Sequence, residues 1–436
     1  MIKIYPLEEA KKTILKRKPI TQDSYSPRTI ERTEALFGKG VTPPQAVAQI
    51  LKSIETDGDR AVRKWSALID GFENPDFRIP KANLAEAWER APERLREVLQ
   101  ESAKRIRQFH ENQPITSWLT DEMGGKIGQR FTAIERVGVY VPGGTAPLPS
   151  SLLMSVIPAQ VAGVKDIIVC TPPNPHESIL SAAYVCGVDE IYQIGGAQAI
   201  GAMAFGTDSL PRVDKIVGAG NLFITLAKQQ LYGFVGLDGL AGPTETMVIA
   251  DADANHAWVA ADLLAQAEHD VQASAILLTT SAEFAEKVQK EVTEQTAKLS
   301  RAEIIEASLE NKGGIVVLPS LDLAAELANS YAAEHLCLAV RDPQGLMDKI
   351  NNAGGFFLGE HSFEALGDYV AGPSHVMPTS GTARFASPLN LLDFVKLSSV
   401  VALDLETAST LSPLAADFAD TEKLTAHANA SKIRMK

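Results

Sequence analysis

The chain has 436 residues, of which 45% are hydrophobic and 22% are charged, and its formal net charge at pH 7 is -13. This length is too great for a single hydrophobic core, so two or more domains are expected. The acidic balance argues against a nucleic-acid-binding surface, which needs clustered Lys and Arg. The short basic stretch from Lys11 to Lys18 is interpreted as a solvated helix face.

The cysteines and the N-terminal sequence indicate the compartment. Cys170, Cys186 and Cys337 are isolated thiols without C-x-x-C spacing, as is typical of reduced cytosolic proteins. The first residues are followed by charges instead of the apolar core of an export signal. No apolar run approaches the ~20 residues needed to cross a bilayer. We therefore expect a cytoplasmic protein without membrane contact, or one carried to an organelle by a segment absent here.

Residues 1–135 are predicted to be mainly helical, and part of this region is expected to pack on the substrate domain. Thr42-Pro-Pro-Gln45 is typical of a helix N-terminus, where a Thr cap precedes prolines. The stretch from Leu84 to Phe109 carries charged and apolar residues at helical spacing.

Residues 136–241 repeat a unit of strand, Gly turn and helix, which predicts a parallel sheet covered on both faces. Ligands bind such sheets at the carboxyl ends of the strands, where these Gly turns lie. None of the turns is a G-x-G-x-x-G, so the standard dinucleotide fingerprint is missing. Taken alone they could bind a nucleotide or be simple tight turns.

Residues 242–389 are predicted to form a second α/β domain, with ionisable residues at the ends of its elements, where sites form. The remaining residues, 390–436, are interpreted as a helical tail that is too short to form a core of its own and must therefore dock elsewhere. The predicted fold class is therefore α/β, with two Rossmann-like parallel-sheet domains and helical extensions at both termini.

Two short motifs in the second α/β domain carry possible chemistry. Gln266-Ala-Glu-His269 ends an apolar helical stretch, and residues i and i+3 share a helix face, so Gln266 and His269 could approach one cation. Alone, such a pair is more often solvated or capping than ligating. Glu334-His335 lies at the start of a predicted strand. Taken alone, such a pair is more often found at the protein surface.

These motifs belong to a larger set that resembles the histidinol dehydrogenase family. The matching segments occur in one order from about residue 25 to the end, and the set is specific although each motif alone is not. They are Val141-Pro-Gly-Gly-Thr-Ala-Pro-Leu-Pro-Ser150, Gly195-Gly-Ala-Gln-Ala199, Gln266-Ala-Glu-His269, Glu334-His335-Leu336, Gly367-Asp368-Tyr369, His375-Val-Met-Pro-Thr379 and Leu424-Thr-Ala-His427.

The resemblance implies oxidation of L-histidinol through L-histidinal to L-histidine, with reduction of two NAD and one Zn²⁺ per subunit. The implied metal ligands are Gln266, His269, Asp368 and His427, an N/O donor set that suits zinc without thiolates. His335 would take the alcohol proton as hydride leaves for the nicotinamide. Glu334 would activate the water that adds to the aldehyde.

The resemblance also implies the remaining contacts. Tyr140, Gln198 and Asn221 match the NAD contacts, each at one of the Gly turns. The implied substrate contacts are Thr244, Gln266, His269, Glu334, Asp368, His375, Glu422 and His427. The tail that carries the last two would cross to the partner in a homodimer and complete its site, which gives two shared sites.

Three residues depart from the family pattern: Thr244 replaces Ser, Ser374 replaces the Asn before His375, and Ala219 replaces a Pro. These departures lie among the implied substrate and cofactor contacts. The implied zinc ligands and the Glu334-His335 pair match the family pattern. The nearest alternative function is therefore a paralogous dehydrogenase of another amino or hydroxy alcohol. A zinc hydrolase would not need the first α/β domain, and a two-lobed solute-binding protein would carry an export signal.

Overall fold

The computed structural model describes residues 2–17, 25–74, 76–143 and 146–435. The chain forms two compact units, one of Met1–Asn112 with Glu135–Asp393 and the other of Gln113–Ile134 with Phe394–Lys436. Within the described ranges, no helix is both long and apolar enough to cross a membrane. Gly144 and Thr145 of the predicted Gly turn after the first strand lie outside the described residues, as does Lys18 of the basic stretch.

Helices and strands alternate through most of the chain. The strands are β1 (Ile4–Tyr5), β2 (Trp118–Thr120), β3 (Lys126–Ala133), β4 (Arg136–Tyr140), β5 (Asp166–Thr171), β6 (Glu190–Gln193), β7 (Lys215–Val217), β8 (Gly236–Leu237), β9 (Glu245–Ala250), β10 (Ser274–Thr279), β11 (Gly314–Val317), β12 (His335–Ala339), β13 (Gly355–Leu358) and β14 (Val395–Ala402). The α-helices are α1 (Leu7–Ala10), α2 (Pro27–Phe37), α3 (Pro43–Asp57), α4 (Asp59–Asp70), α5 (Lys81–Arg90), α6 (Glu93–Glu111), α7 (Pro149–Val161), α8 (Glu177–Val185), α9 (Gly196–Phe205), α10 (Leu222–Leu231), α11 (His256–Ala267), α12 (Ala282–Thr296), α13 (Ala302–Lys312), α14 (Leu321–Tyr331), α15 (Pro343–Met347), α16 (Glu364–Leu366), α17 (Leu405–Thr421) and α18 (Thr425–Lys432). A single π-helical turn occupies Gly367–Ala371.

Local sequence sets the ends of the N-terminal helices. α3 begins after Thr42, whose N–H donates to Gln45 Oε1 at 2.9 Å, as the Thr-Pro-Pro-Gln pattern predicts. The helical stretch predicted from Leu84 to Phe109 is interrupted, because Pro92 disfavours helix at Ala91 and starts a new helix, α6. α3 and α4 pack on α9, α5 packs on α8, and α6 packs on α7, so the N-terminal helices form an outer layer on the helices that follow the strands of the first sheet.

The first sheet contains five parallel strands in the order β6-β5-β4-β7-β8, which confirms the parallel sheet predicted for this region. The chain runs outward from β4 through β5 to β6 and then returns to β7 on the other side of β4. The carboxyl end of β4 is therefore the topological switch point, where such sheets bind ligands. Gly218, with φ 106°, follows β7, and a Cβ there would lie 2.2 Å from the Tyr140 carbonyl oxygen, so only Gly permits this approach.

The second sheet contains six parallel strands in the order β1-β11-β10-β9-β12-β13. β9 and β10 are buried along their whole length, as their continuous apolar runs indicate for strands covered on both faces. β1, from the N-terminal region, extends this sheet by pairing Ile4 with Ile315 and Tyr5 with Val316. This pairing brings the start of the chain to the domain that carries the Glu334-His335 motif.

The second unit contains a three-stranded antiparallel sheet of order β14-β3-β2, followed by α17 and α18. Its helices begin at Leu405 and not near Leu389, where the helical tail was predicted to start, because residues 395–402 form β14. β14 pairs along its whole length with β3, a segment far away in the sequence. Local pattern alone does not reveal such a partner.

Candidate active site

Glu334 and His335 lie at the amino end of β12, where it pairs with β9. The register places His335 opposite Thr246, so the pair lies beside Glu245 at the start of β9. Both residues are buried, with 6% and 3% exposure. A buried Glu-His pair is uncommon unless its charges are compensated, which separates this pair from an ordinary surface pair.

The residues at the start of β9 hold this pair through hydrogen bonds. Glu334 Oε2 accepts from the Thr244 hydroxyl at 2.6 Å and from the Glu245 N–H at 2.9 Å. His335 Nδ1 lies 3.1 Å from the Glu245 carbonyl oxygen, and because a carbonyl only accepts, Nδ1 carries the hydrogen. The backbone N–H and carbonyl of one residue, Glu245, therefore orient both side chains and leave His335 Nε2 to face the site.

Burial and neighbouring charge change the proton affinity of both groups. Burial raises the pKa of Glu334 to about 7, although His335, the Thr244 hydroxyl and the Glu245 N–H oppose this shift. Burial alone would lower the pKa of His335, but the carboxyl groups of Glu364, Glu334 and Asp368 outweigh it and raise that pKa well above its usual value. Strongly perturbed groups at one place are typical of functional sites.

Asp368 faces His335 from the π-helical turn. Its Oδ1 lies 3.4 Å from His335 Nε2, and its carbonyl oxygen accepts from His375 Nδ1 at 2.8 Å. Burial would raise the pKa of Asp368, but the hydrogen bond and charge of His335, with smaller contributions from His375 and His269, lower it. Asp368 is thus a carboxylate that faces imidazoles and is suited to a cation.

Three side chains form a compact group of possible metal ligands. One ligand atom each from His335, Glu364 and Asp368 lies within 4.8 Å of the other two. Glu364 is 1% exposed, and its Oε2 has no hydrogen-bond partner among the described residues. An unpaired buried carboxylate oxygen is costly, which indicates a missing partner such as a proton or a cation.

Glu364 was not predicted from the sequence. It starts α16 and precedes Asp368 by four residues, a spacing that places two side chains on one helical face. That spacing is the signal that could have identified it. The fully buried Gln266 amide contacts both the Glu364 carboxylate and the Thr244 hydroxyl, so Glu364 links the predicted ligand Gln266 to this group.

Gln266 and His269 do not share one helix, as the i, i+3 argument assumed. α11 ends at Ala267, and His269 lies beyond its end, although the His269 N–H still donates to the Gln266 carbonyl at 3.3 Å. The His269 ring nevertheless interacts electrostatically with Asp368, His335 and His375. The described structure therefore brings Gln266 and His269 to the same cluster, and His269 is exposed there.

The second α/β region meets the first through His375. His375 Nε2 lies 3.2 Å from the Ser151 hydroxyl in the first turn of α7, the helix that follows β4. Ser374, which replaces the usual Asn, is buried and donates to the Met154 carbonyl at 3.1 Å, so its hydroxyl is used inside the protein. Thr244, which replaces the usual Ser, retains the hydroxyl that bonds to Glu334.

The three predicted NAD contacts lie at the carboxyl edge of the first sheet. Tyr140 ends β4, and its hydroxyl accepts from the Gly196 N–H at 3.3 Å. Asn221 caps α10 and accepts from the Phe223 N–H at 3.0 Å. Gln198 is fully buried and donates to Asp70 at 2.8 Å, while its Oε1 has no partner in the described residues.

The two remaining predicted residues belong to the second unit. Glu422 caps the C-terminus of α17, and His427 lies in α18. Both are exposed. Their place in a site stays a prediction.

The fold is α/β, and its candidate site places a buried Glu-His pair beside a group of possible metal ligands. The model of the histidinol dehydrogenase family matches residues 40–435. Histidinol dehydrogenase of Deinococcus radiodurans is 48% identical over 413 residues, which cover 93% of this chain and 94% of that protein. The enzyme of Thermus thermophilus is 48% identical over 393 residues, which cover 90% of this chain and 95% of that protein.

A solved structure agrees with the sequence relatives. The crystal structure of histidinol dehydrogenase from Elizabethkingia anophelis superposes with a TM-score of 0.90 at 34% identity and covers 100% of this chain and 98% of that chain. The chain belongs to the histidinol dehydrogenase family, and it is therefore an oxidoreductase.

Proposed function

We propose that this enzyme oxidises L-histidinol through L-histidinal to L-histidine, with two NAD as hydride acceptors, and that it serves histidine biosynthesis. The observation that carries this proposal is the pair Glu334 and His335, two buried groups of raised pKa held by the backbone N–H and carbonyl of one residue, Glu245. Two successive oxidations need two proton transfers, and adjacent groups with different environments suit them.

His335 is the proposed base for the alcohol step. Its Nδ1 is bound to the Glu245 carbonyl, so Nε2 is the nitrogen that can take the hydroxyl proton as hydride leaves. The neighbouring carboxylates favour the protonated ring that results. The fixed Nδ1 hydrogen bond keeps the ring oriented while Nε2 changes its protonation state.

Glu334 is the proposed base for the aldehyde step. A water that adds to the aldehyde must lose a proton, and the resulting hydrate can give up a second hydride to form the acid. A carboxyl whose pKa is raised to about 7 is a better base near neutral pH than an ordinary Glu. The Thr244 hydroxyl and the Glu245 N–H hold Oε2, which leaves Oε1 for the water.

The residues around this pair fit a zinc ion. The donors are amide, imidazole and carboxylate groups, the set that zinc takes in the absence of thiolates, and Glu364 Oε2 is a buried carboxylate oxygen without a partner in the described residues. We assign the metal to Gln266, His269 and Asp368, with His427 as the fourth ligand. When bound, zinc would orient the substrate and stabilise negative charge on its oxygen.

The first sheet is the proposed NAD site. Tyr140 and Asn221 lie at the carboxyl ends of β4 and β7, at the switch point where doubly wound sheets bind ligands. Gln198 lies in the first turn of α9, beyond β6. The contact between Ser151 and His375 brings the carboxyl edge of the first sheet next to the residues around the Glu334-His335 pair. Hydride transfer requires the cofactor and the substrate to be adjacent in this way.

His375, Thr244 and Glu422 are the proposed substrate contacts beyond the metal and the acid-base pair. We assign His427 and Glu422 to the site of the partner in a homodimer, as the resemblance to the family implies, and closed two-fold symmetry then gives two equivalent shared sites. We propose that the enzyme acts in the cytoplasm on a small molecule and that it binds neither nucleic acid nor membranes.

NADH formation with L-histidinol, measured against a panel of other amino and hydroxy alcohols, tests this function. L-histidinol is expected to give the highest kcat/KM. The alternative, a paralogous dehydrogenase of another alcohol, is favoured by the methyl group that Thr244 adds where Ser is usual. It would be supported if another alcohol of the panel were oxidised and L-histidinol were not.

A further inference from the structure

Arg17, near the start of the chain, contacts the residues that flank the Glu334-His335 pair. Its Nη2 donates to Glu245 Oε2 at 2.7 Å, and its Nη1 donates to Glu245 Oε1 in a short contact. Its Nε donates to the Tyr331 carbonyl at 2.7 Å, and Nη2 also donates to the Ala332 carbonyl at 3.3 Å. The guanidinium carbon lies 3.4 Å from the centroid of the Tyr331 ring. Arg17 is therefore fixed by a carboxylate, two carbonyls and an aromatic face.

The two carbonyls belong to the turn that leads into the Glu334-His335 pair. α14 ends at Tyr331, and Ala332 adopts a left-handed conformation with φ 52°. The chain then reaches Glu334 within two residues. A cation at a helix C-terminus stabilises the unpaired carbonyls there, so Arg17 holds the turn from which Glu334 projects.

The carboxylate belongs to Glu245, the residue whose backbone N–H and carbonyl orient the same pair. The Glu245 N–H donates to Glu334, and its carbonyl accepts from His335. The Glu245 side chain is 5% exposed, and its Oε1 also accepts from the Ser380 N–H at 3.1 Å. Because the side chain is held on both oxygens, the position of Glu245, and with it that of its backbone N–H and carbonyl, is restrained.

Bidentate pairing distinguishes this contact from a simple charge pair. The planar guanidinium matches a carboxylate with two parallel N–H···O bonds, a geometry that a Lys ammonium does not reproduce. A buried carboxylate that loses its partner is strongly destabilised, because the charge stays in a medium of low polarity. The pair therefore fixes the position of Glu245 as well as its charge.

We propose that Arg17 is a positioning residue for the reaction: it does not reach the substrate but fixes Glu245, whose backbone N–H and carbonyl bond to Glu334 and His335, and the α14 turn that leads into this pair. This inference rests on the proposed function, in which those two residues are the bases. It gives the N-terminal segment, whose β1 pairs with β11, a role in catalysis.

A cavity beside Arg17 makes chemical rescue feasible. It has a volume of about 400 Å³ and is lined in part by Lys12, Arg17, Glu245 and Tyr331. Removal of the Arg17 side chain would leave the Glu245 carboxylate facing this space. A small guanidinium compound could then enter and pair with that carboxylate.

The test compares Arg17→Ala, Arg17→Lys and the control Lys12→Ala, a residue of the same cavity whose side chain does not contact Glu245. The alcohol and aldehyde steps are assayed separately, with Tm and the folded fraction measured for each variant. We expect kcat of Arg17→Ala to fall roughly 10- to 100-fold in both steps, the loss typical of residues that orient a site, with KM little changed. Arg17→Lys should recover only part of this loss, and Lys12→Ala should retain the wild-type kcat.

Ethylguanidinium at millimolar concentration is expected to restore part of kcat in Arg17→Ala and to leave Lys12→Ala and the wild type unchanged. The loss caused by Arg17→Ala in the aldehyde step should also be smaller when Glu334→Gln is already present, because residues that act through one another are not additive. If Arg17→Ala fails to fold, Arg17→Lys carries the test, with a lower kcat at unchanged Tm as the expected result.

Three results would overturn the inference: wild-type kcat in Arg17→Ala, a loss that disappears when rates are expressed per folded enzyme, or full additivity with Glu334→Gln. Wild-type enzyme that does not oxidise L-histidinol would instead contradict the proposed function. The two failures are distinguishable, because the first leaves wild-type turnover intact.

Discussion

The hydroxyl of Thr244 donates to Glu334 Oε2 at 2.6 Å, while the amide of Gln266 contacts the same hydroxyl. A side chain that departs from the family's usual Ser thus lies between a proposed base and a proposed metal ligand. Ser and Thr share the hydroxyl that makes these contacts. The extra methyl group of Thr changes only the surface beside it.

Thr244→Val is therefore expected to slow the aldehyde step roughly 10- to 100-fold, because a hydrogen bond to a charged group contributes about 1.5–3 kcal/mol. Thr244→Ser retains the hydroxyl and should keep the rate near that of the wild type. Single-turnover rates with L-histidinal measure the difference. Equal rates for the Ser and Val variants would mean that the hydroxyl does not support Glu334.

The two half-reactions should separate the roles of Glu334 and His335. Glu334→Gln is expected to impair oxidation of the aldehyde more than oxidation of the alcohol, because only the aldehyde step needs an activated water. His335→Ala should slow the alcohol step by roughly 10²- to 10⁴-fold, the contribution of a general base. Equal losses in both steps for both variants would contradict this division of roles.

The pH dependence of the aldehyde step should report the ionisation of Glu334. Burial raises the pKa of this carboxyl to about 7, and only its ionised form can accept a proton from water. The rate should therefore rise as pH increases through about 7 and level off above it, and kcat/KM reports this ionisation in the free enzyme. In Glu334→Gln the rise in rate with pH should disappear. If the same rise remains in that variant, the ionisation belongs to another group.

Metal removal tests the ligand assignment. Chelation is expected to abolish turnover, and added zinc should restore it. His269→Ala and Asp368→Ala should bind less zinc, because each removes one of four proposed protein ligands. His256→Ala is a matched control, since His256 faces Glu291 away from the cluster, at 3.8 Å, and should retain the wild-type zinc content. Stoichiometric zinc in both ligand variants would show that other residues bind the metal.

Mixed dimers test the shared site. His427→Ala and His335→Ala are each expected to be inactive alone. After co-refolding in equal amounts, about half the dimers should be mixed, and each should have one intact site of two, so about a quarter of wild-type activity should return. Mixed dimers that form without any recovery would place His427 in the site of its own chain.

The sequence predicted the elements whose signals are local. The alternation of strands, Gly turns and helices indicated the α/β domains, because each of these signals extends over only a few residues. The pairing of β1 with β11 and of β14 with β3 could not be predicted, since each joins segments far apart in the chain. A strand finds such a partner through the tertiary fold, which no short window contains.

The same limit applies to the site. Glu334, His335 and Asp368 stand in recognisable motifs, whereas Glu364 differs from a surface acid only by its spacing from Asp368. Arg17 lies in a basic stretch that we interpreted as a solvated helix face. This interpretation was wrong for Arg17, because folding pairs it with the buried Glu245. Its environment depends on a residue that lies 228 positions away.

The stoichiometry of the reaction tests the central claim most directly. NADH and L-histidine are measured together in a reaction that starts from limiting L-histidinol and excess NAD. The proposed pair of bases predicts two NADH for each L-histidine formed, with no accumulation of free L-histidinal. One NADH for each L-histidinol consumed, with the aldehyde as the final product, would contradict a site that carries out both oxidations.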